Sequence, residues 1–386
     1  MPGAAIIGAA LNTGAAVHWS IWLQGVDVWR EPGTSPRYAV PAESIIVEER
    51  GHDQTSAMQF VIEDLSQALA VTEGMTVRMW SHDNSEYAFS GWVDHFEIRY
   101  MPGNQGTEYT IQCIGIESVL DWTLLLNDVT IPAATNIATA VESLCAQTTG
   151  FAWDNMTITL AVGQSTVGAG LQNLSATNIG VTIPAGTTLR SAINQLTDNV
   201  QDPTWPTWCT VDFFGTLRLW TQNPSSLGMD YVGITASGDV GGSGYIEYGI
   251  DAAQVRSIYI KGTGIAGLVT DGTNRPGPVA YVEDATITTV AQRDAAAKGY
   301  LAGFAVSARG RYTTTALSPA PIYAHPGTNI DISASVLGIS ASTRFFVTGI
   351  TRTWVSGTRG DVVYFFGGAD PSLARLTRQL TRNTLS

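Results

Sequence analysis

Two hydrophobic periods take turns along this chain of 386 residues. In Ser56–Glu63, Met58, Phe60 and Ile62 alternate with Ala57, Gln59, Val61 and Glu63. A period of two half-buries a β-strand. His18–Trp29, Arg37–Val47, Thr76–Trp80, Tyr87–Tyr100 and Thr107–Ile116 read as strands too. Pro102-Gly103-Asn104-Gln105-Gly106 predicts a hairpin turn between the last two. Strands at this short spacing predict a sandwich or barrel over residues 1–122, with Glu117–Trp122 a short helical exit.

The period then changes. Ala134–Thr148 carries Ile137, Ala140, Val141, Leu144 and Cys145 at the spacing of one helix face. Thr188–Val200 repeats it with Leu189, Ala192, Ile193 and Leu196, and Thr187 or Thr188 can cap it. Between them Asn155–Pro184 is rich in Gly, Thr and Asn and reads as an insertion. Trp208–Val211 and Leu217–Trp220 flank Asp212-Phe213-Phe214-Gly215 as a hairpin. Residues 123–245 therefore predict an α+β middle domain.

Strand character returns in Ile246–Lys261, where Val255, Ser257 and Tyr259 alternate with Arg256, Ile258 and Ile260. Gly262–Pro278 reads as a loop, and Val290–Phe304 as a helix with Ala291, Ala295, Tyr300 and Leu301 able to share a face. Ile330–Ser333, Phe345–Val355 and Asp361–Phe366 close a second β-barrel-like domain over residues 246–368, with 290–304 its linking helix. The predicted fold class is mainly β with α+β character: two barrels and an inserted α+β domain. In the tail, residues 369–386, Leu373, Leu376 and Leu380 share one side of a predicted helix and Arg375, Arg378 and Arg382 the other. Such a helix closes on its own domain, its Arg side chains favoured by the helix dipole, or docks on an acidic neighbouring subunit.

Composition narrows the function. Hydrophobic residues are 44% and charged residues 14%, which is globular and not disordered. Sparse charge also suits a surface covered by partners. A net charge of −13 supplies no basic patch for nucleic acid. It suits ordinary solubility, or a channel wall along which DNA slides without sticking. Cys113, Cys145 and Cys209 are too sparse for a disulfide framework or a zinc site and fit a reducing cytoplasm. Met1–Leu11 is apolar but lacks a basic leader region, and no run reaches the ~20 apolar residues of a membrane span. No stable membrane insertion is expected.

Candidate chemistry lacks its required surroundings. Gly262-Thr263-Gly264-Ile265-Ala266-Gly267 matches a dinucleotide fingerprint, but the following Asp271–Pro278 breaks the helix that would hold the pyrophosphate. His95 and Glu97 share one strand face and Asp94 takes the other; a metal would need more ligands. His82-Asp83 is as weak. Ser243 sits among glycines without a nucleophile-elbow motif. Glu63-Asp64 and Glu283-Asp284 are adjacent, so their carboxylates leave an extended chain on opposite faces. No enzyme and no cofactor is expected. Trp19, Trp22, Trp29, Trp80 and Trp92, among eleven Trp, read as core, or as interface anchors. Aromatics stacked on one face would instead favour a carbohydrate- or receptor-binding module.

The order of parts resembles the baseplate-hub, or tail-hub, family of tailed phages. Ser56–Glu63 (SAMQFVIE), Gly91–Arg99, Tyr109–Leu120 (YTIQCIGIESVL), Leu189–Leu219, Tyr281–Tyr300 and Arg344–Trp354 (RFFVTGITRTW) carry the likeness over about residues 17–368. Asn155–Pro184 departs from it. The resemblance implies tail-tube-type barrels and a homotrimer with pseudo-sixfold symmetry, a structural virion protein at the tail tip. It further implies assembly in the host cytoplasm and gating of the channel for DNA ejection. The implied partners are a distal tail or tube protein, the C-terminus of the tape-measure protein, and tail fibre or tip proteins. DNA passes through without specific binding. The tail residues Leu373, Arg375, Leu376, Arg378, Leu380 and Arg382 are the candidate docking residues.

Overall fold

The computed structural model describes residues 19–30, 38–51, 54–81, 86–103, 106–147, 151–153, 156–158, 180–198, 207–211, 217–221, 234–237, 245–250, 255–270, 272, 277–285, 287–303, 308–314, 326, 329–334, 339–356 and 359–367. The predicted strand His18–Trp29 is two strands, β1 (Trp19–Leu23) and β2 (Val26–Arg30). Gln24 and Gly25 turn between them at φ 49° and 78°. Two positive φ values in a two-residue loop match the twist of a hairpin. Arg37–Val47 is likewise broken. After β3 (Tyr38–Ala39), Pro41 lacks an amide for the ladder, and a 3-10 turn over Ala42–Ser44 precedes β4 (Ile46–Arg50). β5 (Ala57–Asp64) buries Met58, Phe60 and Ile62 as its alternation predicts. β6 (Thr76–Ser81), β7 (Glu86–Tyr100) and β8 (Thr107–Gly115) follow, then helix α1 (Val119–Trp122).

The next part has its own core. β9 (Val129–Ile131) leads to α2 (Ile137–Ala146), whose Asn136 cap accepts the Ala138 amide at 2.9 Å. The short pair β10 (Phe151–Trp153) and β11 (Met156–Ile158) precedes β12 (Val181–Ile183), which returns to β9. α3 (Leu189–Asp198) and the hairpin β13 (Thr207–Val211) and β14 (Leu217–Thr221) complete it. Ile137, Val141 and Leu144 of α2 pack in one cluster with Leu189, Ile193 and Leu196 of α3, so both predicted apolar faces are buried.

After β15 (Ile234–Ser237), the predicted strand Ile246–Lys261 divides into β16 (Tyr245–Ile250) and β17 (Ser257–Gly262), in different sheets. The loop predicted over Gly262–Pro278 contains β18 (Ile265–Thr270), a hairpin partner of β17. β19 (Val279–Glu283) pairs parallel on the other edge of β17. Helix α4 (Val290–Gly303) covers this three-stranded sheet, burying Ala296, Ala297 and Leu301 against Ile258, Ile260 and Val282. Ala295 is buried, whereas Ala291, expected on that face, is exposed.

β20 (Ala308–Thr314), β21 (Asn329–Ala334), β22 (Ile339–Ser356) and β23 (Arg359–Gly367) end the described chain. Two separate barrels do not form among the described residues. One sheet of 14 strands runs in the order β16-β20-β23-β22-β4-β5-β8-β7-β6-β1-β2 and does not close on itself; β3 joins β5, and β21 with β15 joins β22. The join is the antiparallel pairing of β4 with β22, Thr353↔Ile46 to Gly349↔Arg50. A single core cluster spans both halves, with Trp19 and Trp354 in edge contact at 5.6 Å. Sequence order hides this pairing because period two specifies a strand's faces and not its neighbour.

Candidate assembly surface

Four features join the parts of this molecule or offer it to others. The first is the seam between β4 and β22. Glu49 and Arg352 face each other across it as an ion pair, at 2% and 3% exposure. Such a pair fixes register: a one-residue slip would send both charges to the wrong face.

The second is a polar clamp between the sheet and α3. Glu117 follows β8, is buried, and accepts the Ser56 amide through its carboxylate. Arg190, at the start of α3, donates Nη2 to the Glu117 carbonyl and Nε to Asp121, both at 2.8 Å. Burial pushes the Glu117 carboxyl above its ordinary value, against the hydrogen bonds from Ser56 and the attraction of Arg190. Gly115 makes room for it: a Cβ there would lie 2.5 Å from the carboxylate.

The third is an arm. β7 pairs with β6 only over Glu86–Trp92, while β8 accompanies it to Tyr100. From Asp94 to Arg99 one edge of β7 has no strand partner among the described residues. An open edge is a template for another strand. A bulge at Asp94 resets the alternation, so Phe96, Ile98 and Tyr100 extend the face on which Tyr109 and Ile111 are buried. Ile98 and Tyr100 project past the core, each 60% exposed. The other face holds His95, Glu97 and Arg99, with Arg99 3.9 Å from Glu108. Gly91 lets the strands close at the base of the arm, since a Cβ would lie 2.0 Å from the Ile114 carbonyl.

A further face belongs to the small sheet. Tyr259 and Tyr281 stand side by side on β17 and β19, rings 5.9 Å apart and 10° from parallel. Leu268 and Val279 flank them, and all four are exposed. Lys261 bonds Glu283 at 2.6 Å, and Tyr281 donates its hydroxyl to the same carboxylate. This Lys261 bond is the leading cause that keeps the Glu283 carboxyl below its ordinary value.

The residues singled out in the sequence are placed as follows. His95 Nε2 lies 4.0 Å from Glu97, and both are exposed. Among the described residues no three His, Cys, Asp or Glu side chains come together as a metal cluster. Asp64 is a turn former: its carboxylate accepts the amides of Ser66 and Leu69 and the Ser66 hydroxyl. Burial pushes the Cys113 thiol well up and the Cys145 thiol to about 12, as inert core groups. The Gly262–Gly267 motif is the β17–β18 hairpin. A Cβ at Gly262 would lie 2.1 Å from the Ile287 carbonyl, and one at Gly267 2.4 Å from Arg293. Those glycines therefore serve packing. Trp19, Trp29 and Trp92 are buried, and Trp22 and Trp80 are half-buried. His82, Asp83, Ser243, most of Asn155–Pro184 and all of Leu373, Arg375, Leu376, Arg378, Leu380 and Arg382 lie outside the described residues.

Sequence reasoning missed Glu49–Arg352 and Glu117–Arg190, because each partner lies far along the chain. It also passed over Trp122, Leu124 and Leu126. These exposed apolar residues alternate with buried Thr123 and Leu125. In the sequence these five residues form an almost continuous apolar run, which carries no signal of which of its members are exposed.

No family model matches the chain, and no curated protein matches it. Its fold is shared with solved tail proteins. The tail protein from Neisseria meningitidis MC58 is 14% identical, with a TM-score of 0.58 over 91% of this chain and 96% of that one. The 43 kDa tail protein of prophage MuSo2 from Shewanella oneidensis is 12% identical, with a TM-score of 0.59 over 90% and 98%. Prophage tail protein gp18 from Listeria monocytogenes EGD-e is 10% identical, with a TM-score of 0.53 over 96% and 100%.

Proposed function

We propose that this chain is a structural component of a phage tail, the hub at its distal end, and that it works as a homotrimer. The observation that carries this is the open sheet in which two strand-rich halves, residues 19–115 and 245–367, are fused edge to edge at β4–β22. Each half stands for one tube-like domain, so three copies supply six similar units to a ring beneath the tail tube. The α+β parts, about 119–221 and 255–303, sit outside the sheet as adaptor bodies. The edge of β7 from Asp94 to Arg99, without a strand partner among the described residues, is the natural place for a neighbouring copy to add a strand. A hub in this position contacts a distal tail or tube protein, the end of the tape-measure protein and the tail fibres, and gates DNA ejection. Its location is the virion. The fold shared end to end with tail proteins supports the structural role.

The test is native mass and negative-stain imaging of the purified full chain. Three-fold rings are expected, and Ile98→Asp with Tyr100→Asp should leave folded monomers with an unchanged melting temperature. A wild-type chain that stays monomeric at high concentration overturns the trimer. A second reading has its own observation. The stacked Tyr259 and Tyr281 are the kind of exposed aromatic face that holds a sugar ring or a receptor. Tyr259→Ala with Tyr281→Ala should then abolish binding to host envelope glycans while trimers persist. Unchanged glycan binding removes this reading.

A further inference from the structure

We propose that Trp122, Leu124 and Leu126 form the docking row for the chain's own carboxy-terminal segment, residues 371–382. Among the described residues the row is an apolar strip in contact only at its first member, whose Trp122 ring lies 5.2 Å from that of Trp92. α1 ends at Trp122, and the chain continues extended, hydrogen-bonded along one edge to residues 186–189. Leu125 N donates to Thr187 O at 2.9 Å, and Leu189 N to Thr123 O at 2.8 Å. That pairing holds Thr123 and Leu125 inward. It turns Trp122, Leu124 and Leu126 outward at 52%, 49% and 77% exposure. Single exposed leucines are ordinary; a row of three large apolar side chains marks a contact surface.

Reach, length and charge choose the occupant. β23 ends at Gly367, beside Val347 of β22 through Phe366. Gly51 N bonds Thr348 O at 3.1 Å, Arg50 N bonds Ser56 Oγ at 3.2 Å, and Gly115 N bonds Ser56 O at 2.8 Å. These contacts step from the end of β23 to the start of α1. At ~4.8 Å per strand spacing the distance is roughly 20–25 Å. The six residue steps from Gly367 to Leu373 span up to ~21 Å when extended, so the first leucine of the segment reaches the near end of that range. Leu373, Leu376 and Leu380 follow the spacing of one helix face and cover ~10.5 Å at helical rise, against ~13 Å for the extended row. Every charged side chain between Arg99 and Arg190 is acidic, and every charged side chain from 371 onward is arginine. Arg375, Arg378 and Arg382 therefore meet Asp128 and its neighbours with opposite charge. A second copy of the row would meet like charge.

Hydroxyl-radical footprinting read by mass spectrometry tests the assignment on the full chain. It is compared with a chain ending at residue 368 and with Leu373→Ser, Leu376→Ser, Leu380→Ser together. Oxidation of Trp122 and Leu126 should rise several-fold in both, while exposed Leu268 on the small sheet stays constant. Arg375→Glu, Arg378→Glu and Arg382→Glu together should give a similar rise at low salt. Amide exchange over β5–β8, unchanged in each variant, shows that the sheet is intact. Equal oxidation in all chains overturns the proposal. So does protection that appears only as protein concentration rises, because that assigns the row to a neighbouring molecule.

Discussion

Removing Glu49 isolates the question of whether the two chain halves are one folded unit. Glu49 and Arg352 are 2% and 3% exposed and lie on the strands that join the halves. Burial already works against the Arg352 charge, lowering its pKa. Glu49→Ala leaves a buried guanidinium without its carboxylate, which costs about 3–5 kcal/mol. An exposed pair would cost about 0–1 kcal/mol. Against a native stability of about 5–15 kcal/mol the buried loss is a large share. With a urea slope of about 2–3 kcal/mol/M, the midpoint falls by about 1–2 M. Trp fluorescence reports this well because Trp19 and Trp354 touch across the halves. Far-UV circular dichroism should move with it, since the strands of both halves share one sheet. Arg352→Met alone should be similarly costly, whereas Glu49→Leu with Arg352→Met should recover most of the loss. A Glu49→Ala cost near that of a surface pair, or fluorescence and dichroism transitions that separate in the wild type, would refute the joined sheet.

Two carboxylates should respond to pH with opposite sign. Burial raises Glu117 above its ordinary 4.5, so the fold favours its protonated form. That stability is complete below the unfolded value and is lost as pH rises through the folded value. Glu117→Gln, which keeps an acceptor for Ser56, should raise the melting temperature at pH 7 and change it little near pH ~4. For Asp64, burial is the largest influence and pushes upward, but hydrogen bonds from Ser66, Leu69 and Ala68 together hold it below 3.8. Its contribution is present above that value and fades as pH falls through the folded one. Asp64→Asn should cost about 2 kcal/mol at neutral pH by urea titration, and less in acid. The glycine motif gives a third contrast. Gly262→Ala meets the Ile287 carbonyl and should lower the thermal midpoint sharply; Gly264→Ala faces open space and loses only its φ of +72°, about 1–2 kcal/mol. Equal effects of the two would contradict the packing role.

What the sequence disclosed was local. Met58, Phe60 and Ile62 gave β5 because alternation is a property of one strand. The α2 and α3 faces were visible for the same reason. The Gln24-Gly25 turn was obscured because Gln is a poor indicator of positive φ. β18 was obscured because Gly264 and Gly267 read as loop, although one serves the turn and the other admits Arg293. The joined sheet was out of reach because β4 and β22 meet only in three dimensions. Buried charge is the clearest case. Nothing around Glu49 or Glu117 predicts burial; the distant Arg352 makes it tolerable for one, and the distant Ser56 with Arg190 for the other.

Those same arginines bear on the proposed role. Arg352 is enclosed, and Arg190 is held by Asp121 and the Glu117 carbonyl. The chain has 20 Lys and Arg against 33 Asp and Glu, and these two basic groups are spent inside. Between Arg99 and Arg190 lies a long stretch with no Lys or Arg at all, in which every charged side chain is acidic. DNA binding depends on clustered cations that displace counterions from phosphate. A ring whose inner wall included that stretch would pass DNA without holding it. Cationic partners would be drawn to the same surface, which makes the arginine-bearing tail segment the nearest competitor for it. Salt sensitivity separates the two demands: tail docking should weaken as ionic strength screens the arginines, whereas trimer formation through the apolar side of the β7 edge should persist.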